Sequence, residues 1–425
     1  MFSTKNVHQL LNYVIFYGLM RNMIKEFKLS NNINACIKIN ENTPRIALSL
    51  NFSINKPEKH AGEYLLLSRL LLKGTKKYSS EELSSILEEN AIDFYTDMKH
   101  DYLRFRFVSL NEDFKLALSI LSDIIQNSTF EEFEKERIKL KGELLAELDS
   151  AKVKVSDLFT KTIYKNHFYG NSYTTILEEI DSVTLDDVKN SYSEILNNSS
   201  KALVVVGDTD FNKIEQLLNE YLSCISASKQ ESSLISIPEL SAKEYVELTK
   251  DDAQQAQIIQ GWQVASIDSE DYPKLMLLNI ILGASGLSSR LFLELREKKG
   301  LAYTVRTSYE VHLKSSVFSI YIGTEPSNIQ TSIDGFHEEI EKIKNILVSE
   351  EELHNAKNNL IGKQQFITET NSQQANFMAD YAISGKPFNY QEIIINKIRT
   401  ISSQDLMNCA KKYFTDDFVL AVLKP

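Results

Sequence analysis

The chain has 425 residues, of which 43% are hydrophobic and 25% are charged, and its formal net charge is −11. A chain of this length can bury more than one hydrophobic core, so we expect at least two domains. The acidic balance argues against a nucleic-acid partner, because binding to a phosphate backbone requires clustered lysine and arginine. Cys36, Cys224 and Cys409 lie far apart, which indicates neither a disulfide framework nor a thiolate zinc site and leaves a single pair among them open.

Residues 1–23 are predicted to be an N-terminal extension. Residues 10–19 are mostly apolar, but Asn12 interrupts the run and no small-residue cleavage site follows, so a signal peptide is the less favoured interpretation. The compartment stays open between cytoplasm and periplasm, with the cytoplasm preferred. No later segment reaches the roughly 20 apolar residues that span a bilayer, so we predict no membrane span.

The next part of the chain mixes strand and helix patterns. Strands are predicted at residues 35–39, 45–54 and 103–110, where apolar residues alternate or run continuously. Helices are predicted at residues 62–73, 79–89, 112–126 and 129–151, with helical spacing of apolar residues and start signals such as Ser-Ser-Glu-Glu. This half is therefore predicted to be α+β.

The chain also contains an internal echo. Residues 184–208 and 402–425 each give a capped helix, a tyrosine, a polar turn and an apolar strand. A Ser-rich stretch lies between them. We therefore predict an α+β fold of two structurally similar domains, residues 24–224 and 241–425, each an antiparallel sheet packed with helices, joined by a linker at residues 225–240.

Three blocks carry a resemblance to a known family: "GEYLLLSRLLLKGTKKYSSEEL" from residue 62, "EKERIKLKGELLAEL" from residue 134, and "GASGLSSRLFLELREKKGLAYTVRTSY" from residue 283. They resemble the zinc helix, the third-ligand helix and the second-half signature of the pitrilysin/insulinase-type metallopeptidases, the inverzincins. The similarity is greatest to the two-domain bacterial and mitochondrial-processing-type members. Together with the echoed strands, these blocks cover most of the chain from about residue 24 onward.

The family zinc helix carries H-x-x-E-H, in which two histidines one turn apart bind Zn²⁺ and the glutamate activates the metal-bound water. A gap-free alignment on Gly62 and on the Lys-Gly-Thr at its end places Leu65, Ser68 and Arg69 at these three positions. Leu65 offers no lone pair, Ser68 is a poor base, and Arg69 brings a fixed positive charge to the place of the metal. The resemblance therefore implies a chain without a metal site at this helix.

A second spacing imitates the motif. His60, Glu63 and Tyr64 read H-x-x-E-Y, five residues too early and next to Pro57, where a helix is only beginning. We expect His60 to be a loop residue instead.

The third-ligand helix retains its carboxylates. The resemblance places Glu143 at the ligand position and Glu136 two turns earlier on the same side. Without histidines these two carboxylates cannot form a tight zinc site. An equally open interpretation is that Glu143 pairs with Arg69.

In two-subunit members of the family, the zinc-free subunit contributes an arginine and a tyrosine that hold substrate in its partner's active site. Arg296 and Tyr303 stand where this pair belongs. An arginine can bind a peptide carbonyl or carboxylate, and a phenol can donate to an oxyanion. The competing interpretation is that Arg296 is a surface charge and Tyr303 a core aromatic.

The glycine-rich "GASGLSSR" also suggests a phosphate-binding loop. It lacks both the Lys-Ser/Thr of a P-loop and the full G-x-G-x-x-G spacing, so we reject this function. Ser288 and Ser289 are better explained as an N-cap for a helix starting near Arg290.

The resemblance implies a non-catalytic, peptide-binding subunit of a heterodimeric zinc metallopeptidase, active only with a zinc-bearing homologous partner. The chain itself is expected to bind no cofactor, and zinc is expected in the partner. The alternative is an inactive scaffold or peptide-holding protein with no role in hydrolysis. No short motif identifies the peptide substrate, because specificity in a large chamber comes from its shape and field.

Overall fold

The computed structural model describes residues 23–41, 43–229 and 237–425. The predicted N-terminal extension, except for its last residue, and the central part of the predicted linker lie outside the described residues. Within the described residues the chain forms two sheets, one on each side of the linker, and the α+β prediction is confirmed. The predicted domain limits stay predictions. None of the described helices is long and apolar enough to cross a membrane.

The first sheet has six strands in the order β1-β2-β6-β3-β5-β4. The strands are β1 Ile24–Lys28, β2 Asn34–Ile39, β3 Arg45–Ser53, β4 Asp93–Met98, β5 Tyr102–Leu110 and β6 Lys201–Gly207. The helices of this half are α1 Glu63–Leu70, α2 Ser80–Glu89, α3 Phe114–Asn127, α4 Phe133–Leu148, α5 Ala151–Ile163, α6 Tyr173–Glu179, α7 Leu185–Asn198 and α8 Phe211–Leu222, with short 3₁₀ turns at Phe168–Gly170 and Ile180–Ser182.

The second sheet has five strands in the order β7-β11-β8-β10-β9. The strands are β7 Glu244–Thr249, β8 Ala256–Val264, β9 Ala302–Glu310, β10 Ser316–Thr324 and β11 Val419–Lys424. The helices are α9 Tyr272–Asn279 with a π-helical continuation Ile280–Ala284, the π-helical α10 Phe292–Lys298, a 3₁₀ turn Pro326–Asn328, α11 Ile329–Asn345, α12 Glu350–Phe366, α13 Asn371–Ile383, α14 Tyr390–Thr400 and α15 Ser403–Tyr413.

Each sheet is mixed, which corrects the prediction of antiparallel sheets. The pairs β2–β6 and β7–β11 are parallel, whereas the other pairs are antiparallel. In both halves the last strand returns after a long helical stretch and enters the sheet beside an early strand. A crossover of this kind permits parallel pairing, which a short hairpin does not.

The internal echo is confirmed at the end of each half. Helix α7 begins with a capping box between Thr184 and Asp187, and α15 begins with one between Ser402 and Asp405. Each helix is followed by a buried strand, β6 or β11. Because the capping box satisfies the first free backbone N–H groups, it fixes where the helix starts.

Each half contributes one helix that packs on the sheet of the other half. Helix α5 of the first half packs through Val155 and Phe159 on the second sheet, against residues such as Ile259 and Val419. Helix α13 of the second half packs on β3 and β6 of the first sheet. The interface between the halves therefore contains apolar side chains from both.

Helix α1 ends earlier than the sequence predicted, at Leu70, and turns follow before Gly74. Gly62 precedes the helix with a φ of 93°, and a Cβ at this position would lie 2.7 Å from the side chains of Ile176 and Ile180. Glycine is needed at residue 62 for both reasons, since other residues rarely adopt this conformation. The helix is thus held at a fixed position next to the first core.

Candidate functional site

The zinc-helix positions lie on α1. Leu65 is partly buried and lines a cavity between the two halves. The Ser68 hydroxyl donates to the Leu65 carbonyl at 2.9 Å, and the Ser68 carbonyl accepts a hydrogen bond from Thr96 at 2.6 Å. The Ser68 side chain therefore satisfies its own helix backbone.

Arg69, one residue further on, connects α1 to α4. Its two terminal nitrogens donate to the two carboxylate oxygens of Glu143 at 2.8 and 3.0 Å. Its Nε donates to Glu136 at 2.9 Å, and Lys73 contacts the other oxygen of Glu136 at 3.0 Å. The pairing between Arg69 and Glu143 that the sequence left open is present, and Arg69 also pairs with Glu136.

The charges of this cluster balance, because two cations, Arg69 and Lys73, pair with two carboxylates, Glu136 and Glu143. The hydrogen bond from Arg69 lowers the pKa of Glu143. Burial of Glu136 raises its pKa, but hydrogen bonds from Lys73 and Arg69 more than offset this, and the net shift is downward. Both carboxylates are therefore ionised at neutral pH and paired with cations. A fixed guanidinium between them does not fit a zinc ion, since it would repel a dication.

The alternative spacing at His60 is not a zinc motif in the structure. Helix α1 begins at Glu63, so His60 precedes the helix and does not share a helical face with Tyr64. The Glu63 carboxylate is buried and accepts hydrogen bonds from the Ser191 hydroxyl and from the Lys59 backbone N–H. The Glu63 carboxylate thus anchors the start of α1 to α7.

The second half brings Arg296 and Tyr303 side by side. The guanidinium carbon of Arg296, on α10, lies 4.8 Å from the ring centroid of Tyr303 and 4.7 Å from that of Phe292. These distances are typical of cation–π contacts. Tyr303 is 78% exposed, so the interpretation of this residue as a core aromatic is wrong. Arg296 Nε lies 3.9 Å from a carboxylate oxygen of Glu297, and the Arg296 side chain is 33% exposed.

A β-bulge explains the exposure of Tyr303. On β9, Val305 and Thr307 are buried, and strict alternation would put Tyr303 on the same inner face. The register between β9 and β10 shifts here, because Gly323 pairs with Thr304 whereas Thr324 pairs with Ala302. Tyr303 is the extra residue of this bulge. A bulge redirects a side chain in this way.

The glycine-rich loop before α10 binds its own neighbours. The helical segment starts at Arg290, whose guanidinium forms a two-pronged ion pair with Glu352 at 2.8 and 2.7 Å. Ser289 contributes its backbone carbonyl to the helix, while its hydroxyl donates to the Gly286 carbonyl at 2.8 Å. The predicted helix start is confirmed, although the Ser289 hydroxyl donates instead of accepting as an N-cap oxygen would.

A cavity of about 690 Å³ lies between the halves. Its lining includes Leu65 of α1, His100 of the β4–β5 turn, and Glu310 and His312 near the end of β9. Burial, with the charge of nearby imidazoles, lowers the pKa of His100 to about 4 and that of His312 to about 3. Sequence reasoning missed this group, because no local spacing joins residue 100 to residues 310 and 312.

Comparison with known proteins identifies the class to which this fold and these positions belong. The sequence profile of the insulinase family (peptidase family M16) matches residues 39–178, and that of the peptidase M16 inactive domain matches residues 182–360. The chain belongs to the M16 peptidase family, and its match to the inactive domain runs from residue 182, near the end of the first half, to residue 360 in the second half.

Curated relatives extend over nearly the whole chain. An uncharacterized zinc protease of Bacillus subtilis, YmxG, is 25% identical over 95% of this chain and 98% of its own length. A protein of Helicobacter pylori named as a non-peptidase homolog is 24% identical over 82% of this chain and 81% of its own. A probable inactive metalloprotease of Bacillus subtilis, YmfF, is 22% identical over 83% of this chain and 86% of its own.

Solved structures agree with the fold. A protease from Helicobacter pylori superposes with a TM-score of 0.86 at 21% identity, covering 95% of this chain and 99% of that one. A peptidase M16 inactive domain from Pseudomonas fluorescens gives a TM-score of 0.83 at 19% identity, with 95% and 98% covered.

Proposed function

We propose that the chain is a non-catalytic, peptide-binding subunit of a heterodimeric zinc metallopeptidase and supplies Arg296 and Tyr303 to the active site of a zinc-bearing homologous subunit. One observation carries the proposal: Arg296 and Tyr303 lie together at an exposed corner, and a bulge turns Tyr303 outward. A pair that served only packing would not need this exposure.

The zinc-helix positions support the non-catalytic part of the proposal. Leu65 and Ser68 offer neither a metal ligand nor a general base, and Arg69 is bound by Glu143 and Glu136. Two relatives have names that describe their own chains as non-catalytic: one is named a non-peptidase homolog and the other a probable inactive metalloprotease.

The chemistry of the pair suits substrate binding. The Arg296 guanidinium can donate two parallel hydrogen bonds to a peptide carbonyl or carboxylate. The Tyr303 hydroxyl can donate to the oxygen that becomes negatively charged when the peptide carbonyl is attacked. Zinc in the partner would activate the attacking water, and the present chain would hold the peptide against it.

The proposal is tested by mixing the purified chain with a zinc-bearing homologue from the same source. Size-exclusion chromatography with light scattering should show a one-to-one heterodimer, and cleavage of a fluorogenic peptide should exceed that by either chain alone. A chain that binds peptide but forms no heterodimer, or a heterodimer without increased cleavage, would contradict the proposal and favour the scaffold alternative.

Arg296→Ala separates binding from chemistry in this heterodimer. If the guanidinium holds the peptide equally in the ground state and the transition state, KM should rise about tenfold, or roughly 1.4 kcal/mol, with little change in kcat. Lys298→Ala is a matched control, because Lys298 lies on the same helix and pairs with Glu294. Equal KM values for the two variants would remove Arg296 from the substrate site.

A further inference from the structure

Three potential metal ligands meet where the two halves join. His100 lies in the turn between β4 and β5, Glu310 ends β9, and His312 follows two residues later. Their ligand atoms all lie within 4.8 Å of one another. His312 Nε2 is 3.6 Å from a Glu310 carboxylate oxygen, and the rings of His100 and His312 are 5.0 Å apart.

Hydrogen bonds across the interface hold the two loops in place. Asp101, next to His100, accepts from the Leu313 backbone N–H at 3.0 Å and from the Tyr169 hydroxyl. The Tyr164 hydroxyl donates to the carbonyl of Ser315 at 2.7 Å. These contacts fix the turn of the first half against the β9–β10 connection of the second. The backbone segments that carry His100 and His312 are therefore held next to each other.

We propose that His100, Glu310 and His312 bind one divalent transition-metal ion, with zinc as the preferred ion, and that this ion bridges the two halves of the chain. Two imidazole nitrogens and one carboxylate oxygen are a ligand set that zinc accepts in proteins. Neither magnesium nor calcium fits as well, because both prefer oxygen ligands. Three protein ligands leave a fourth coordination position open.

Binding requires the three ligand atoms, which lie within 4.8 Å of one another, to move closer together. Ligand atoms around tetrahedral zinc, at about 2.0–2.1 Å from the metal, lie roughly 3.4 Å apart. The distance of 3.6 Å between His312 and Glu310 is already close to this value. The Glu310 side chain is 64% exposed, so it can rotate toward the metal without displacing packed neighbours. The three residues line the same cavity as Leu65, which gives a fourth ligand a route of entry.

The competing explanation is packing alone. The His312 ring also lies 4.8 Å from the ring of Tyr169 and 5.9 Å from that of Tyr164, so imidazoles could simply fill an aromatic cluster. Packing gives no role to the Glu310 carboxylate, whereas metal binding needs it. Replacing this carboxylate by an amide of the same shape therefore separates the two explanations.

The proposed metal site does not depend on the proposed heterodimer, but it bears on one expectation from the sequence. The chain was expected to bind no metal because Leu65, Ser68 and Arg69 replace the family ligands. For α1 that expectation stays a prediction, whereas the loops at His100 and His312 provide a different place for a metal.

Zinc titration of the full chain tests the inference. After removal of metal by chelation, calorimetry should show one equivalent of zinc bound, with a rise in Tm, because a ligand that binds the folded state stabilises it. Substitution with Co²⁺ should give the visible absorption of a tetrahedral site. Glu310→Gln and His100→Gln should each weaken zinc binding at least about 100-fold, since even the loss of an outer hydrogen bond can cost 10- to 100-fold.

Two variants serve as controls. His354→Gln removes an exposed histidine on α12, and Glu143→Gln changes the carboxylate that faces Arg69. Both should bind zinc as tightly as the parent. The inference is overturned if the parent binds no equivalent of zinc, or if Glu310→Gln binds it as tightly as the parent does. Because Glu310 is exposed, this variant should fold even if His100→Gln does not.

Discussion

Two side-chain clusters differ in what their polar groups bind. We call Arg69 with Glu136 and Glu143, in the first half, the closed corner. We call Arg296 with Tyr303, in the second half, the open corner. Arg69 donates its hydrogen bonds to Glu143 and Glu136, and both carboxylates are accounted for within the chain. Arg296, in contrast, stacks on Tyr303, and the tyrosine is largely exposed. The first corner is internally satisfied, whereas the second is open to a ligand.

In the first half, the charges of Glu136 and Glu143 are balanced by cations of the chain itself. Without Arg69, the nearly fully buried Glu136 would be left with Lys73 alone as its cation. A buried carboxylate with too little positive charge nearby is costly, so the cation at residue 69 stabilises this part of the fold. The helix pair α1–α4 is then held by an ion pair network.

The largest expected effect comes from reversing the replacement. Leu65→His, Ser68→Glu and Arg69→His together, in a Glu310→Gln background, should create a zinc site that the Glu310→Gln parent lacks. Two histidines one turn apart on α1 would face Glu143 as third ligand. Metal analysis and zinc calorimetry measure the change. Peptidase activity need not follow, because the three substitutions do not add the outer hydrogen bonds that orient metal-binding imidazoles.

Adding Glu143→Gln to this variant is the control and should weaken zinc binding. If the folded triple variant binds no more zinc than its parent, the gap-free alignment of α1 with the family motif is wrong.

A single change at the closed corner should cost stability. Arg69→Ala leaves the buried Glu136 with Lys73 alone and should lower the free energy of unfolding by about 2 kcal/mol, as expected for lost hydrogen bonds to charged groups. Urea unfolding measures this loss. Lys141→Ala, which removes an exposed ion pair on the same helix α4, should have a much smaller effect. Equal losses of unfolding free energy in the two variants would mean that the Arg69 network stabilises the chain no more than an exposed ion pair does.

The two carboxylates of the closed corner should not be equivalent. Glu143 has a side chain 46% exposed, so Glu143→Gln should cost less than about 1 kcal/mol, as is usual for surface ion pairs. The Glu136 side chain is only 3% exposed, and Glu136→Gln should cost more. Unfolding curves of the two variants, measured side by side, check this order. The reverse order would contradict the assignment of Glu136 as the buried anchor.

The smallest effect is a pH dependence. The pKa values of Glu136 and Glu143 are lowered in the folded chain, so their stabilisation is present above their unfolded pKa of about 4.3 and is lost as the pH falls through the folded values. The stability difference between the parent and Arg69→Ala should therefore be constant from pH 7 to 5 and shrink toward pH 3. A difference that does not change with pH would contradict the ionic origin of the loss.

Local signals predicted much of the fold. The capping residues Thr184 and Ser402 and the apolar runs after them fixed helix–strand units at both ends, because these interactions involve near neighbours in sequence. The parallel pairs β2–β6 and β7–β11, and the exchange of α5 and α13, depend on contacts between distant residues that no local pattern encodes.

The same distinction applies to the sites. The resemblance assigned Arg69 and Glu143 to family positions on two locally defined helices and left their pairing open, and the structure shows the pair. The outward direction of Tyr303 could not be read from β9 alone, because strand alternation predicts an inward side chain and only the register against β10 reveals the bulge. His100 and His312 meet through the packing of the two halves, which the sequence does not show.

The central claim is that the open corner acts on substrate in a partner's active site. The most direct test is the kcat of the heterodimer containing Tyr303→Phe. This variant removes one hydroxyl and should lower kcat about 100-fold without dissolving the complex, as the loss of one donor to a developing oxyanion does. Tyr245→Phe, at another exposed tyrosine on β7, should leave kcat unchanged. Full kcat for Tyr303→Phe in an intact heterodimer would contradict the claim.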